Sequence, residues 1–300
     1  MINLSQIQLP HQKLNAFSSV APMTSAQARV EAQKLLQAGL SQSVIAVLDL
    51  LVVAGVLPTY RLPASERSLR NYQRQRLLDR LPYTTPEMQD FFQAYSLPVP
   101  EGRLAVYTLG PVGIEIARER HGVQPPTGYL AYPIERVMHD VVMNEIVLRI
   151  AGRAMEHGWA PVWVSKYEAT LYADPNTPLL EPDAMLRLKG EDEELVYLFE
   201  YHNEDKATRA RRKVDRYALA LSREALWRER WEVETFPPLL AVFRRPVVGR
   251  GYQEAVNGRN GLQVYGRTLA SALEEDFSTW YHFNAGEKVN LFPWGRERDE

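Results

Sequence analysis

The pattern of hydrophobic and polar positions predicts two structured regions that follow a polar arm and divide near residues 124–128. Residues 1–23 contain two prolines and no sustained hydrophobic period, so we expect a flexible arm there. Between residues 24 and 120 the apolar positions recur mainly at helical intervals. The predicted helices cover residues 24–38, 43–54, 66–81, 86–95 and 110–120, and the predicted strand covers residues 104–109.

The second region begins with one long predicted helix, residues 134–156, after which the period shortens to that of strands. The predicted strands cover residues 162–171, 184–188, 195–201 and 238–244, with a helix over residues 205–227. Three strands in a meander, followed by a helical crossover to a fourth, predict a mixed sheet with helices on its faces. Residues 262–273 mix strand and helix signals, residues 279–294 are expected to add edge strands, and the acidic tail from residue 296 is expected to fray.

Residues 124–128, Gln-Pro-Pro-Thr-Gly, have the composition of a linker. We therefore predict an α+β protein with two domains, residues 24–124 and residues 129–300. In the first domain, several helices precede a short strand and a last helix. That order indicates a winged helix-turn-helix, in which one helix enters the major groove of DNA.

The helix predicted over residues 66–81 is basic. Six arginines lie between residues 61 and 80 against two acids, a local balance of 6 − 2 = +4. Arg67, Arg70 and Arg74 follow i, i+3, i+7 spacing and so share one face. Arginine suits phosphate and guanine recognition because its planar fork donates two parallel hydrogen bonds. An ordinary solvated helix face explains the same charges. Three leucines continue along nearly the same face at the helix end.

Two carboxylates mark neighbouring strands of the second region. Asp183 precedes one predicted strand and Glu200 lies in the next, 200 − 183 = 17 residues later. Both adjoin apolar strand residues, where a lone carboxylate would be costly. Acids presented from adjacent strands can share a divalent cation such as Mg²⁺ or Mn²⁺, which prefers oxygen ligands. That arrangement is common in phosphodiester hydrolysis. His202 stands two residues after the second acid, and a neutral imidazole cannot act as a permanent cation at neutral pH.

Other side chains could complete such a site. Glu145 lies beside Asn144 on the apolar face of the long helix, either as a third acid or as a boundary residue. Glu168, in a predicted strand, is either another acid or a solvated residue. Lys213 or Lys206 on the following helix could supply the permanent positive charge that His202 lacks. A basic helix that flanks DNA explains the two lysines as well.

Composition excludes several classes of protein. The chain has 300 residues, no cysteine and a formal net charge of −2, so disulfides and thiolate zinc sites are excluded and any surface for nucleic acid must be local. We find neither an apolar run approaching the roughly 18 residues that span a bilayer nor a secretory signal. We therefore expect a cytoplasmic protein. P-loop and nucleophile-elbow motifs are absent, and the glycines near residues 249–261 are predicted turns.

These motifs, in this order, resemble the PD-(D/E)XK nuclease superfamily. More narrowly, the chain resembles the replication-relaxation family of plasmid and mobile-element proteins, which pair a winged helix with a nuclease-like domain. The resemblance covers about residues 43–248. The matching pieces are Tyr107-Thr-Leu-Gly110, His139-Asp-Val-Val-Met-Asn144-Glu145, Glu168, Pro182-Asp183, Phe199-Glu200, and Lys213 with Tyr217. A lysine is typical at the position of His202, and in some relatives that lysine has migrated to the next helix. The resemblance implies binding to double-stranded DNA in replication, mobilisation or regulation.

Two hypotheses for function follow from these observations. The first is a DNA-binding accessory or regulatory protein without a cofactor, whose second domain serves for binding. The residues expected to contact DNA are Arg67, Arg70, Arg74, Arg209, Arg212, Lys213 and Arg216.

The second hypothesis is an endonuclease that uses Mg²⁺ or Mn²⁺. Its metal ligands would be Asp183, Glu200 and Glu145, and its catalytic residues Asp183, Glu200, His202 and Lys213. A relaxase, replication protein or recombinase is a further partner if the second domain is an interaction module. A homodimer stays open, and no membrane partner is expected.

Overall fold

The computed structural model describes residues 23–204, 206–274 and 278–295. It combines helices with β-sheets, as predicted, and forms two compact units divided between Val141 and Val142. Residues 124–128, the predicted linker, form neither helix nor strand, and the domain boundary there stays a prediction. The predicted arm, apart from Met23, and the tail from residue 296 lie outside the described residues. Among the described residues, no helix has the length and apolar character needed to cross a membrane.

The first unit contains five helices, three short strands and the start of a sixth helix within its described residues. The helices are α1 (Ser25–Ala38), α2 (Gln42–Ala54), α3 (Glu66–Arg74), α4 (Thr85–Ala94), α5 (Pro111–His121) and α6 (Ile134–Glu156), which crosses the division between the units. The strands are β1 (Val56–Pro58), β2 (Leu78–Arg80) and β3 (Val106–Leu109), and they form an antiparallel sheet in the order β1-β3-β2.

Local signals explain the helix ends of this unit. Thr24 caps α1 in a reciprocal capping box with Gln27, and Gly39, with a φ of 83°, ends it as predicted. Ser41 caps α2, whose buried residues lie at the core of the unit. Helix α5 approaches the turn before β2 closely, because a side chain at Gly113 would place its Cβ 2.1 Å from the Leu77 carbonyl oxygen.

The basic helix is shorter than the sequence predicted. Helix α3 ends at Arg74, and part of the predicted last turn is strand β2. Arg76 has a φ of 61°, which an α-helix cannot continue. The physical reason is that exposed arginines and buried leucines compete for nearly the same helical face. The chain leaves the helix before Leu77 and Leu78, which are 1% and 0% exposed.

The second unit is built on a seven-stranded mixed sheet in the order β12-β11-β10-β9-β8-β7-β4. Its strands are β4 (Ala160–Val164), β7 (Ala184–Lys189), β8 (Glu194–His202), β9 (Leu239–Phe243), β10 (Val264–Thr268), β11 (Thr279–His282) and β12 (Glu287–Asn290). A separate pair contains β5 (Leu171–Asp174) and β6 (Thr177–Leu180). The helices after α6 are α7 (Lys166–Ala169), α8 (Ala207–Leu221), α9 (Glu224–Trp231), α10 (Pro246–Val256) and α11 (Leu269–Ala272).

The predicted meander and crossover are confirmed. Strands β4, β7 and β8 pair antiparallel, and the chain then passes through α8 and α9 to β9, which pairs parallel to β8. The mixed segment 262–273 divides into β10 and α11, and the aromatic segment supplies β11 and the edge strand β12. The helix predicted over residues 205–227 is interrupted between α8 and α9, and Asp205, its predicted first residue, lies outside the described residues.

Two sequence predictions for this unit are wrong. The strand predicted over residues 162–171 stops at Val164, because Ser165 caps α7 and Glu168 completes that capping box. The glycines at 249 and 251 lie inside helix α10, not in turns.

Candidate functional site

The two acids predicted from the sequence lie side by side where strands β7 and β8 pair. Ala184 is the register partner of Phe199, and the Asp183 amide donates to the Phe199 carbonyl over 2.9 Å, which places Asp183 next to Glu200. The Asp183 Oδ2 atom accepts a hydrogen bond from the Tyr201 amide over 2.9 Å. The backbone of β8 therefore fixes the Asp183 carboxylate beside the second acid.

Helix α8 supplies the partners of Glu200. Lys213 Nζ lies 2.5 Å from Glu200 Oε2, and the Tyr217 hydroxyl donates to Glu200 Oε1 over 3.0 Å. The Lys213 ammonium is therefore the group that balances Oε2. Lys213 and Tyr217 are four residues apart and lie one turn from each other on the helix. One face of α8 thus covers the pair of acids.

Burial governs the charge of this cluster. Glu200 is 0% exposed, and burial, followed by the neighbouring Asp183 charge, raises its pKa to about 8 even though Lys213 opposes the shift. Burial acts to lower the pKa of Lys213, but the carboxylates of Glu200 and Asp183 outweigh it and the pKa rises. Near neutral pH the two acids therefore share one proton, and the remaining negative charge is balanced by one ammonium.

His202 follows Glu200 by two residues in β8, so both side chains point to the same side of the sheet. The partners of His202 are nevertheless different. Its Nε2 atom lies 2.6 Å from the Tyr252 hydroxyl of α10, and its Nδ1 atom lies 3.6 Å from Glu204 Oε2. The nearby His202 ring is the largest cause that lowers the pKa of Glu204. The Nε2 atom of this buried side chain is thus engaged, and His202 connects β8 to α10.

The remaining candidate acids do not join the pair. The Glu145 side chain is 1% exposed and forms an ion pair of 2.9 Å with Arg149 one helical turn later. Arg149 also donates to the Leu273 carbonyl over 2.6 Å. Asn144 is 5% exposed, as predicted for a residue inside the apolar face. The Glu168 carboxylate accepts from the Ser165 hydroxyl over 2.6 Å and caps α7. Lys206 is exposed beside the first residue of α8.

These positions bear on the predicted metal site. Among the described residues, no three His, Asp or Glu side chains gather in an arrangement that could hold a metal ion. Asp183 and Glu200 have the oxygen chemistry that Mg²⁺ prefers, but both Glu200 oxygens already have partners. In this arrangement the pair does not fit a magnesium ion.

The arginines of α3 form an exposed basic face. Arg67, Arg70 and Arg74 are exposed, whereas Leu69 and Tyr72 on the opposite side are buried. The Tyr72 hydroxyl lies 3.0 Å from the Ser43 hydroxyl of α2 and fixes the helix to its unit. Within the part of the chain that the structure describes, none of the three arginines forms an ion pair. Their charge is therefore available to an external anion.

The arginines of α8 are less uniform. Arg209 forms an ion pair with Glu204 over 3.1 Å, and Lys213 faces the buried acids instead of solvent. Arg212 and Arg216, one turn apart, are exposed and have no carboxylate partner among the described residues. Of the predicted DNA contacts on this helix, these two have the most accessible charge.

Several residues near the acidic pair and near the basic face of α3 were not identified from the sequence as site residues. Tyr252 was missed because it lies in a helix that two glycines conceal from helical patterns. Arg80 and Arg103 were also missed: burial raises the pKa of Tyr107, but the charges of both arginines and of Arg70 act against that shift, so all three lie near Tyr107. The pairing of β2 with β3 places Arg80 opposite Tyr107, and this pairing is the signal that could have identified Arg80.

Comparison with protein-family models, with curated proteins and with solved structures finds no match to this chain. The sequence resemblance therefore stays a prediction.

Proposed function

We propose that the protein binds double-stranded DNA through the exposed face of α3. The observation that carries the proposal is that Arg67, Arg70 and Arg74 share one face and lack carboxylate partners among the described residues. The protein has a net charge of −2, so arginines without carboxylate partners attract phosphate specifically to the surface where they lie. The exposed Arg103 and the half-buried Arg80 lie near Tyr107, as Arg70 does, and add to the local positive charge.

The topology of the first unit supports this proposal. Strand β1 pairs with β3, β3 pairs with β2, and α3 immediately precedes β2. A helix that packs on a small antiparallel sheet by one side and exposes arginines on the other matches a winged helix-turn-helix, in which the recognition helix enters the major groove. Helix α4 is inserted between β2 and β3.

The wider role is an accessory or regulatory one in plasmid or mobile-element replication, mobilisation or transcription. It rests on the sequence resemblance. Support from the second unit is topological: a long helix, three antiparallel strands, a helical crossover and a parallel fourth strand follow the order of a PD-(D/E)XK-like domain. In this proposal that unit serves for binding.

The test is binding of labelled duplex DNA to the full chain in the presence of a chelator. We expect R67A/R70A/R74A to weaken binding by roughly tenfold or more. The matched control is R153A/R228A/R259A, which removes the same formal charge from arginines already paired with Glu156, Glu224 and Asp215. Equal losses in the two triple variants would indicate bulk electrostatics, and no loss in the α3 variant would refute the recognition assignment.

One observation favours the alternative of a metal-dependent DNA endonuclease: Lys213 reaches the acidic pair from α8, where a migrated lysine was predicted. The hypothesis requires nicking or cleavage of DNA with Mg²⁺ or Mn²⁺ that is lost in D183A. If supercoiled, linear and single-stranded DNA all remain intact, this alternative fails for those substrates. The poor fit of the pair to a metal ion makes it the second candidate.

A further inference from the structure

The cluster of Asp183, Glu200 and Lys213 has the charge arrangement of a cation site whose cation belongs to the protein. The two acids lie on adjacent strands, and Lys213 reaches them from a helix that packs against the sheet. Both carboxylates act on the Lys213 charge. The ammonium therefore occupies the Glu200 oxygen that an ion shared by the two acids would need as a ligand.

Distances make the two occupants mutually exclusive. A divalent hard cation binds carboxylate oxygens at about 2.0–2.6 Å and needs about six to eight oxygen ligands. Lys213 Nζ is only 2.5 Å from Glu200 Oε2, so an ion cannot enter between them, and Tyr217 holds the other oxygen. Metal binding at this pair requires that the Lys213 side chain first move away.

The lysine also has an advantage over a dissolved ion, because it is attached to α8. Ala210, Val214 and Tyr217 of this helix are fully buried against the sheet, which holds Lys213 in place. An attached partner acts at a high effective concentration, and it does not need to shed the hydration shell of a divalent ion. Dissolved Mg²⁺ at millimolar concentration therefore competes poorly.

We propose that Lys213 acts as a built-in cation that masks a latent divalent-cation site formed by Asp183 and Glu200. The latent ligand is a hard ion of the Mg²⁺ or Mn²⁺ class, held by the two carboxylates with water in its remaining positions. This goes beyond the proposed DNA-binding function and does not depend on it, because the metal test contains no DNA.

The test is titration of the full chain with Mn²⁺. Binding is monitored by the loss of the free-ion electron paramagnetic resonance signal and by the change in melting temperature. Wild type is expected to bind weakly and to show no metal-dependent shift. K213M removes the charge but keeps an apolar side chain of similar length. It is expected to bind Mn²⁺ roughly tenfold or more tightly than wild type, and its melting temperature should rise with metal.

Two control variants separate the site from general electrostatics. R212M removes one positive charge from the neighbouring, exposed position of the same helix and should not gain Mn²⁺ binding. D183N/K213M removes one ligand and should lose the gain. K213Q, which can still donate a hydrogen bond to Glu200, replaces K213M if the latter does not fold, as judged by circular dichroism.

Two results would overturn the inference. The first is a Mn²⁺-dependent rise in the melting temperature of wild type that disappears in D183N, because an unmasked site would then already exist. This measurement needs no Lys213 variant. The second is a folded K213M or K213Q protein that binds Mn²⁺ no better than R212M does.

Discussion

Folding changes the charge of Glu200, since burial raises the pKa of its carboxyl from about 4.5 to about 8. The folded state therefore holds a proton that the unfolded state has released between these values. The resulting contribution to stability is full below about pH 4.5 and is lost as the pH rises through about 8. We expect the free energy of unfolding of wild type, relative to E200Q, to fall between pH 5 and pH 9 by up to a few kcal/mol.

Urea titrations at a series of pH values measure this difference. The matched control is E194Q, at the exposed end of the same strand, whose difference from wild type should change much less with pH. If wild type and E200Q keep a constant difference over the whole range, the buried proton does not exist.

His202 and Tyr252 give a second prediction for single residues. Replacement of Tyr252 by Phe keeps the ring but removes the hydroxyl 2.6 Å from His202 Nε2. The buried imidazole nitrogen then loses its partner, at a cost of about 1–3 kcal/mol. Chemical denaturation should show this loss while DNA binding stays unchanged. Y281F removes a more accessible hydroxyl and should change stability by less than about 0.5 kcal/mol. Equal effects of the two substitutions would mean that the His202 contact contributes nothing.

At this scale the sequence located the acids but not all their partners. Asp183, Glu200 and Lys213 were predicted together because carboxylates beside apolar strand residues need a partner and the helical stripe of α8 leads back to the sheet. Tyr252 could not be assigned to His202, because 252 − 202 = 50 residues separate them in the chain. The packing of α10 beside the end of β8 brings the two side chains together.

Helices α8 and α10 approach each other closely over the acidic pair, and a glycine permits the approach. A Cβ at Gly251 would lie 2.7 Å from the carbonyl oxygen of Ala207. Since backbone cannot yield as a side chain can, G251A should separate the helices and lower stability by about 1–3 kcal/mol. G152A is the matched control, because nothing lies within 4 Å of the added methyl in α6. It should be neutral or stabilise the protein by up to about 1 kcal/mol. Thermal unfolding that ranks the two variants in the opposite order would contradict this packing.

The elements of the chain show what periodicity can and cannot establish. Helix α6 matches its prediction over residues 134–156 because its hydrophobic period is long, and Asn144 lies on the apolar face without ending the helix. The end of α3 was mispredicted because leucines after Arg74 continue the helical spacing, although they belong to a strand of the small sheet. The capping signal of Ser165 with Glu168 was present in the sequence, but β-branched and aromatic neighbours favoured a strand.

For the whole molecule, part of the sheet topology could be predicted from the order of the predicted elements. The meander followed by a crossover leaves few possible sheets, because parallel strands need a long connection and consecutive strands usually pair. The positions of β10, β11 and β12 beyond β9 were not determined, since short mixed segments can extend either edge of a sheet. Strand order could therefore be derived for β4, β7, β8 and β9, but not for the full sheet.

The charge of the whole molecule sets the last prediction. With a net charge of −2, the protein as a whole does not attract DNA, so the salt dependence of binding counts local contacts. Each phosphate contact contributes about 0.9 to the slope of log affinity against log salt concentration. R67A, R70A and R74A should each lower that slope by about one if the side chain contacts a phosphate. An arginine that contacts only a base edge should instead change sequence preference and leave the slope nearly unchanged.

The exposed pair on α8 extends this experiment to the second unit. If Arg212 and Arg216 also contact phosphate, R212A/R216A should lower the slope by about two, and combination with the α3 variant should add the two losses. R153A/R228A is the charge-matched control, because both arginines are already paired with carboxylates. A slope for R212A/R216A equal to that of this control would confine DNA binding to the first unit. The proposed binding role of the second unit would then fail, while the role of α3 would stand.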